Sequence, residues 1–159
     1  MSTDSWSHEI ESPVSAARLF KAAVLDWHNL GPKVLPEIIA SGAPVSGDGT
    51  AGSVRQLNFT SAMSFPYLKE RLDFVDHGKL ECKSTLVEGG DLGTKLESAT
   101  FHFKFEPKGQ GCVAKVTATY KALPGVVVAS GDVAEVKESV TGVIRAAEAH
   151  LVANPTAYA

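Results

Sequence analysis

The sequence predicts an α+β fold: one strand, two short helices, six further strands of antiparallel character and a long C-terminal helix. Three observations carry this. Val136, Val140, Val143, Ile144, Ala147 and Leu151 recur at helical spacing. Phe101, Phe103 and Phe105, and then Cys112, Ala114, Val116, Ala118 and Tyr120, alternate with polar neighbours. Glycine-bearing turns separate short runs from Pro36 onward.

Taken in order, residues 5–11 are short and mixed enough for a strand. Ser12-Pro13 reads as a helix start, with Ser as N-cap and Pro at the first helical position, where its missing N–H costs nothing. Ala16, Leu19, Phe20, Ala23, Val24 and Trp27 then mark one apolar face, and a helix is expected to about Asp26. Gly31-Pro32 and Pro36 leave room for only a short second helix, over 29–35. Strands are expected over 38–43, 53–59, 65–75 and 79–88, and around 101–105 and 112–121. In the last helix Asp132 is the expected cap, with Glu135 three residues on, and Asn154-Pro155 is the stop. About twenty-two helical residues at roughly 1.5 Å each span roughly 33 Å, enough to cross a whole domain of this size.

The 159 residues, 44% hydrophobic and 21% charged, suit one folded domain over residues 1–159. Folding at this length removes roughly 70% of the unfolded chain's surface from water, so a sizeable core or enclosed cavity needs neither metal nor disulfide. Fifteen Lys and Arg against eighteen Asp and Glu give a net charge of -3, which disfavours a nucleic-acid groove. No signal peptide, transit peptide or membrane span is legible, so a cytosolic, monomeric protein is expected. Cys82 and Cys112 read as reduced, buried side chains.

Gly47, Gly49 and Gly52 match G-x-G-x-x-G, but the loop opens a strand where a dinucleotide site needs a helix, and no Gly-Lys-Ser/Thr follows. It reads as a glycine turn tolerant of anions. His8, His28, His77, His102 and His150 form no i, i+4 pair, so no metal site is written locally and no cofactor is implied. Lys69, Glu70, Arg71 and Asp73 form a charged run, read as a solvated sheet face; an inward Lys or carboxylate there would be a catalytic candidate. Small residues on facing surfaces carry more. Cys82, Ser84, Ala99, Ala114 and Ala118 would confront Ser139, Gly142 and Ala147, and interiors close-pack, so such faces approach closely or enclose a cavity. A long helix laid across a curved sheet cannot approach everywhere, so a cavity is the expectation, and cavities with a few hydroxyls are ligand sites.

Several segments resemble the plant class-10 pathogenesis-related family, that of the major birch pollen allergen, within the START-like helix-grip superfamily. They are residues 16–22, 32–34, the loop 47–53, the run Tyr67-Leu68-Lys69-Glu70-Arg71-Leu72-Asp73, residues 75–77 and 87–90, and the ending with Glu148, Leu151, Asn154 and Tyr158. Their order covers essentially the whole chain. The resemblance implies a helix-grip fold: a seven-stranded curved antiparallel sheet wrapped around the long C-terminal helix, two short helices between the first two strands, and a large internal cavity. It implies an intracellular, defence-linked and often allergenic protein that binds amphipathic molecules such as cytokinins, flavonoids, sterols, fatty acids, other hormones or specialised metabolites.

The lining expected from these faces and this resemblance begins with Ile39, Leu57, Phe59, Phe65, Tyr67 and Lys69. It continues with Cys82, Ser84, Leu86, Ala99, Phe101, Phe103, Val116, Ala118 and Tyr120, and with Val136, Ser139, Val140 and Val143 of the last helix. Tyr67, Ser84 and Tyr120 are expected to orient the ligand. Ribonuclease activity described for some relatives is disfavoured, because Ser46, Arg55 and His150 depart from the pattern and only Glu148 keeps it. The abscisic-acid receptors' Ser-Gly-Leu-Pro-Ala gate is replaced by residues 86–90, Leu-Val-Glu-Gly-Gly. A carrier or binding protein is the leading expectation. The alternative is an enzyme of condensation, cyclisation or lyase type in the same cavity, with Lys69, Tyr67 and Tyr120 as its only nameable acid–base groups.

Overall fold

A computed structural model describes residues 3–159. Strand β1 (Asp4–Ser12) turns Trp6, Ile10 and Ser12 inward. Helix α1 (Ala16–Phe20) runs into a π-helical turn (Lys21–Leu25), and α2 (Trp27–Val34) follows. Six strands come next: β2 (Ile39–Ser46), β3 (Val54–Phe59), β4 (Tyr67–Asp76), β5 (Glu81–Gly89), β6 (Leu96–Lys108) and β7 (Gly111–Ala122). Helix α3 (Ser130–Ala153) closes the chain. Every strand pairs antiparallel with its neighbour, in the order β1-β7-β6-β5-β4-β3-β2.

Two helix starts differ from the expectation. Ser12 is the last residue of β1, paired with Cys112, and its hydroxyl accepts the Val14 N–H at 3.2 Å. Sheet pairing claims this residue, so the helix begins later, with Ser15 as N-cap. Likewise α3 starts ahead of Asp132, with Ala129 as N-cap; Asp132 reaches back to accept the Ala129 N–H at 3.0 Å. A carboxylate in the first turn also complements the helix dipole.

Helices cover both ends of the sheet order. Beside β2, a Cβ on Gly42 would lie 2.3 Å from the His28 carbonyl oxygen, so only glycine permits this approach to α2. Beside β1, Arg145 of α3 donates to the Glu11 carbonyl at 2.7 Å, and His8 meets Thr141 at 2.9 Å. Arg18 donates to the Leu151, Asn154 and Ala157 carbonyls at 3.1, 2.9 and 3.0 Å, clamping the end of α3 against α1. A cluster including Phe20, Leu30, Phe105, Ala114, Ile144, Ala147 and Leu151 forms the main core. A second groups Trp6, Val116 and Ala118 with Val133, Val136 and Val140.

Both clusters tie α3 to the β1–β7 side of the sheet and to the first two helices. Among the described residues, the backbone of α3 approaches that of β1 within 8 Å between Cα atoms, whereas it meets β6 and β7 through side chains.

Candidate functional site

Pairing register decides which side chains face α3. On β7, Cys112, Ala114, Val116 and Ala118 are buried, as the alternation predicts, and Phe105, Phe103, Phe101 and Ala99 of β6 lie opposite Ala114, Val116, Ala118 and Tyr120. Cys82 and Ser84 of β5 pair with Phe103 and Phe101 and share the concave face. On β4 that face belongs to Leu68, Glu70, Leu72 and Val75. Leu68 pairs with the buried Leu57, Glu70 with Leu86 and Leu72 with Ser84; Val75 pairs with Cys82 after a bulge.

Two expected site residues are therefore on the wrong side. Tyr67 and Lys69 alternate with Leu68 and Glu70 and point to the convex face. There the Tyr67 hydroxyl donates to Glu88 at 2.8 Å, and the Lys69 ammonium sits 3.1 Å from the same carboxylate. The bond to Glu88 raises the Tyr67 pKa. Phe65 is also displaced: it precedes β4 and meets Phe59 edge-on, with ring centroids 5.5 Å apart, beside a shallow surface cleft of about 350 Å³.

Burial divides the remaining candidates. Ile39, Leu57, Cys82, Ala99, Val116 and Ala118 are close-packed, none more than 6% exposed. Ala118 in particular is packed with Trp6, Phe101 and Val136. Ser84, Leu86, Phe101, Phe103 and Tyr120 on the concave side are only half-buried, as are Val136, Val140 and Val143 on α3; Ser139 is exposed. Apolar side chains on this sheet face and on the facing stripe of α3 are thus left partly exposed.

One charged pair on this face escaped the reading of the sequence. Arg55 of β3 stands opposite Glu70 of β4, and its Nε and the second guanidinium nitrogen both reach Glu70 Oε1 at 2.6 Å. Its remaining nitrogen donates to the Val24 carbonyl at 2.7 Å and lies 3.3 Å from His28 Nδ1. Burial, followed by the nearby guanidinium, lowers the His28 pKa. Glu70 Oε2 has no hydrogen-bond partner among the described residues, yet no buried side-chain polar atom there is left unpaired. Oε2 is therefore not fully buried, on a residue whose register turns it to the face toward α3. The signal was present: Arg55 precedes Leu57 by two residues and Glu70 follows Leu68 by two, so an inward pairing of the leucines carries both charges inward.

Cys82 lies on the same face, where burial pushes its thiol up to about 12; burial lifts Cys112 to about 11. Neither carries the thiolate that nucleophilic chemistry requires near neutral pH.

The glycine loop, residues 47–53, joins β2 to β3. Gly47, Gly49 and Gly52 occupy the left-handed region with φ of 83°, 93° and 93°. The Gly49 N–H goes to Ser53 Oγ, that of Thr50 to Asp48, that of Gly52 to the Leu72 carbonyl and that of Ser53 to the Thr50 carbonyl. Four of the loop's N–H groups are thus committed within the fold, and Asp48 places a carboxylate inside the turn. Among the described residues no His, Cys, Asp and Glu cluster has metal-binding geometry.

The positions matched to the ribonuclease pattern each have their own setting. Arg55 bonds to Glu70, Glu148 pairs with Arg145 at 2.9 Å, and Ser46 is exposed at the end of β2.

A curved antiparallel sheet gripping a long helix, with two short helices between its first two strands, defines a helix-grip protein. The chain matches the model of the Pathogenesis-related protein Bet v 1 family over residues 1–154 and belongs to that family. It is 58% identical to Pathogenesis-related protein 1 of Asparagus officinalis, over 99% of each chain. Among solved structures it resembles Ara h 8.0201, with a TM-score of 0.85 and 27% identity, covering 96% of this chain and 100% of that one. Norcoclaurine synthase from Thalictrum flavum has a TM-score of 0.68 and 22% identity, covering 91% of this chain and 87% of that one, a likeness of fold alone.

Proposed function

We propose that this pathogenesis-related protein binds or carries small amphipathic molecules between α3 and the concave face of the sheet. Cytokinins, flavonoids and sterols represent the size and polarity intended. One observation carries the reading: apolar side chains on the sheet face toward α3, and Val136, Val140 and Val143 on α3 itself, remain half-exposed. Covering them with a ligand removes apolar area from water at roughly 25 cal/mol per Å². Polar groups that would orient the ligand are Glu70 Oε2, the Ser84 hydroxyl and the Tyr120 hydroxyl, none with a hydrogen-bond partner among the described residues. Tyr67 drops out of this role.

Binding is favoured over catalysis because Lys69 and Tyr67 are engaged with Glu88 on the convex face, and Glu70, the one carboxylate of the charged run that turns inward instead of lying on a solvated face, is held by Arg55 at 2.6 Å. Two unpaired buried thiols suit a reducing cytosol, and action as a single-domain monomer is part of the proposal.

The test is a fluorescence titration with N-phenyl-1-naphthylamine, a neutral apolar probe, followed by competition with a cytokinin and a flavonoid. Saturable binding near the micromolar range, about 8 kcal/mol, is expected, with displacement by at least one competitor. A folded protein that gives no saturable signal contradicts the proposal.

A further inference from the structure

We propose that the Arg55–Glu70 pair sets the ligand class, admitting polar ends that donate a hydrogen bond, such as amine or hydroxyl groups, and turning away carboxylates. This inference rests on the ligand-binding reading of the interlayer space and narrows it.

The donors around this pair are already committed. Arg55 is a cation on this face that a ligand acid would seek, yet its guanidinium is taken by Glu70 Oε1 on one side and by the Val24 carbonyl and His28 on the other. A carboxylate could reach it only by displacing Glu70 or by lying against the uncompensated Oε2. Both choices leave two negative charges around one positive charge in a site where water screening is reduced. An N–H or O–H group meets no such obstacle, since Glu70 Oε2 is an accessible acceptor without a partner. Glu70 itself cannot swing away cheaply, because leaving would strand a partly buried guanidinium whose side chain is only 21% exposed.

Register and position make this a property of the interior rather than of the outer surface. Glu70 pairs with Leu86 and sits between Leu68 and Leu72, all on the face toward α3. Arg55 and Glu70 also act on the buried Cys82 thiol from the same side, in opposite senses.

The test compares two ligands of equal chain length and opposite charge, dodecylamine and dodecanoate, at pH 7.5 and below their micelle concentrations. Each is measured by displacement of N-phenyl-1-naphthylamine and corrected for the probe's own affinity. Because both heads are ionised, both lose hydration on entering, and the comparison reports the sign of the site. In the wild type dodecylamine is expected to bind at least about fivefold more tightly than dodecanoate. In Glu70→Gln, which keeps the shape but frees the positive charge of Arg55, that ratio should shift by at least about fivefold toward dodecanoate. Arg55→Gln should produce no such shift.

Dodecanoate binding as tightly as dodecylamine in the wild type overturns the proposal. So does an unchanged ratio in folded Glu70→Gln, or an equal gain for dodecanoate in both variants, which would mark general loosening. If Glu70→Gln does not fold, the wild-type ratio decides. The failure of the broader reading looks different: the wild type would then bind neither the probe nor either ligand.

Discussion

Phe105→Ala is expected to destabilise the protein by about 3–5 kcal/mol, a large share of the 5–15 kcal/mol that holds a typical domain together. Phe105 is 1% exposed and meets Phe20 edge-on, with ring centroids 5.6 Å apart, so it joins the sheet to the first helix at the centre of the main cluster. Removing the ring deletes apolar contact and leaves a cavity that the surrounding strands cannot fill. At this chain length the thermal midpoint should fall by roughly 10 °C. Phe74→Ala is the control, since Phe74 is 37% exposed on the convex face beside His102 and should cost well under half as much. Equal losses for the two variants would mean that the faces of the sheet have been assigned wrongly.

Ser84→Phe is expected to weaken probe binding strongly while leaving stability nearly unchanged. Two effects compete when a ring is added to an inward position. In a close-packed site it overpacks and costs roughly 1–3 kcal/mol. In open space it occupies volume that a ligand would otherwise use. Ser84 is half-buried in the middle of the concave face, between Phe101 and Leu72, and its hydroxyl has no partner, so the second effect should win. Affinity should drop by at least about tenfold, or 1.4 kcal/mol, with the thermal midpoint within a few degrees of the wild type. Ala118→Phe should behave oppositely, because Ala118 is 3% exposed beneath Trp6 and Val136. Thermal melts and titrations on both variants separate the outcomes. Destabilisation of Ser84→Phe with intact binding would show that this face is ordinary core.

Much of this architecture is legible in the sequence where periodicity is unbroken. Phe101 to Phe105 and Cys112 to Tyr120 alternate without interruption, and the structure places those residues on the expected face. The stripe from Val136 to Leu151 likewise faces the sheet and the first helices. Legibility fails on β4, where a charge stands in the inward series: Leu68, Glu70 and Leu72 point in, and the outward Tyr67 and Lys69 were the more familiar polar candidates. A bulge near Asp73 then shifts the phase, so Val75 rather than Phe74 returns to the interior. Sequence alone also cannot separate close-packed lining from accessible lining. Ala118 and Ser84 are both small and both inward, yet what covers them depends on how far α3 stands from each strand.

The measurement that tests the central claim most directly is a methyl chemical-shift map of the protein titrated with N-phenyl-1-naphthylamine. The interlayer site predicts saturable shifts at Leu86, Val136, Val140 and Val143, which line the gap from both sides. Val113, on the outer side of β7, and Val152, 62% exposed near the end of α3, should hold their positions. Shifts confined to Val113 and Val152, with the inner methyls unmoved at saturation, would place the ligand on the outside of the fold and contradict the account.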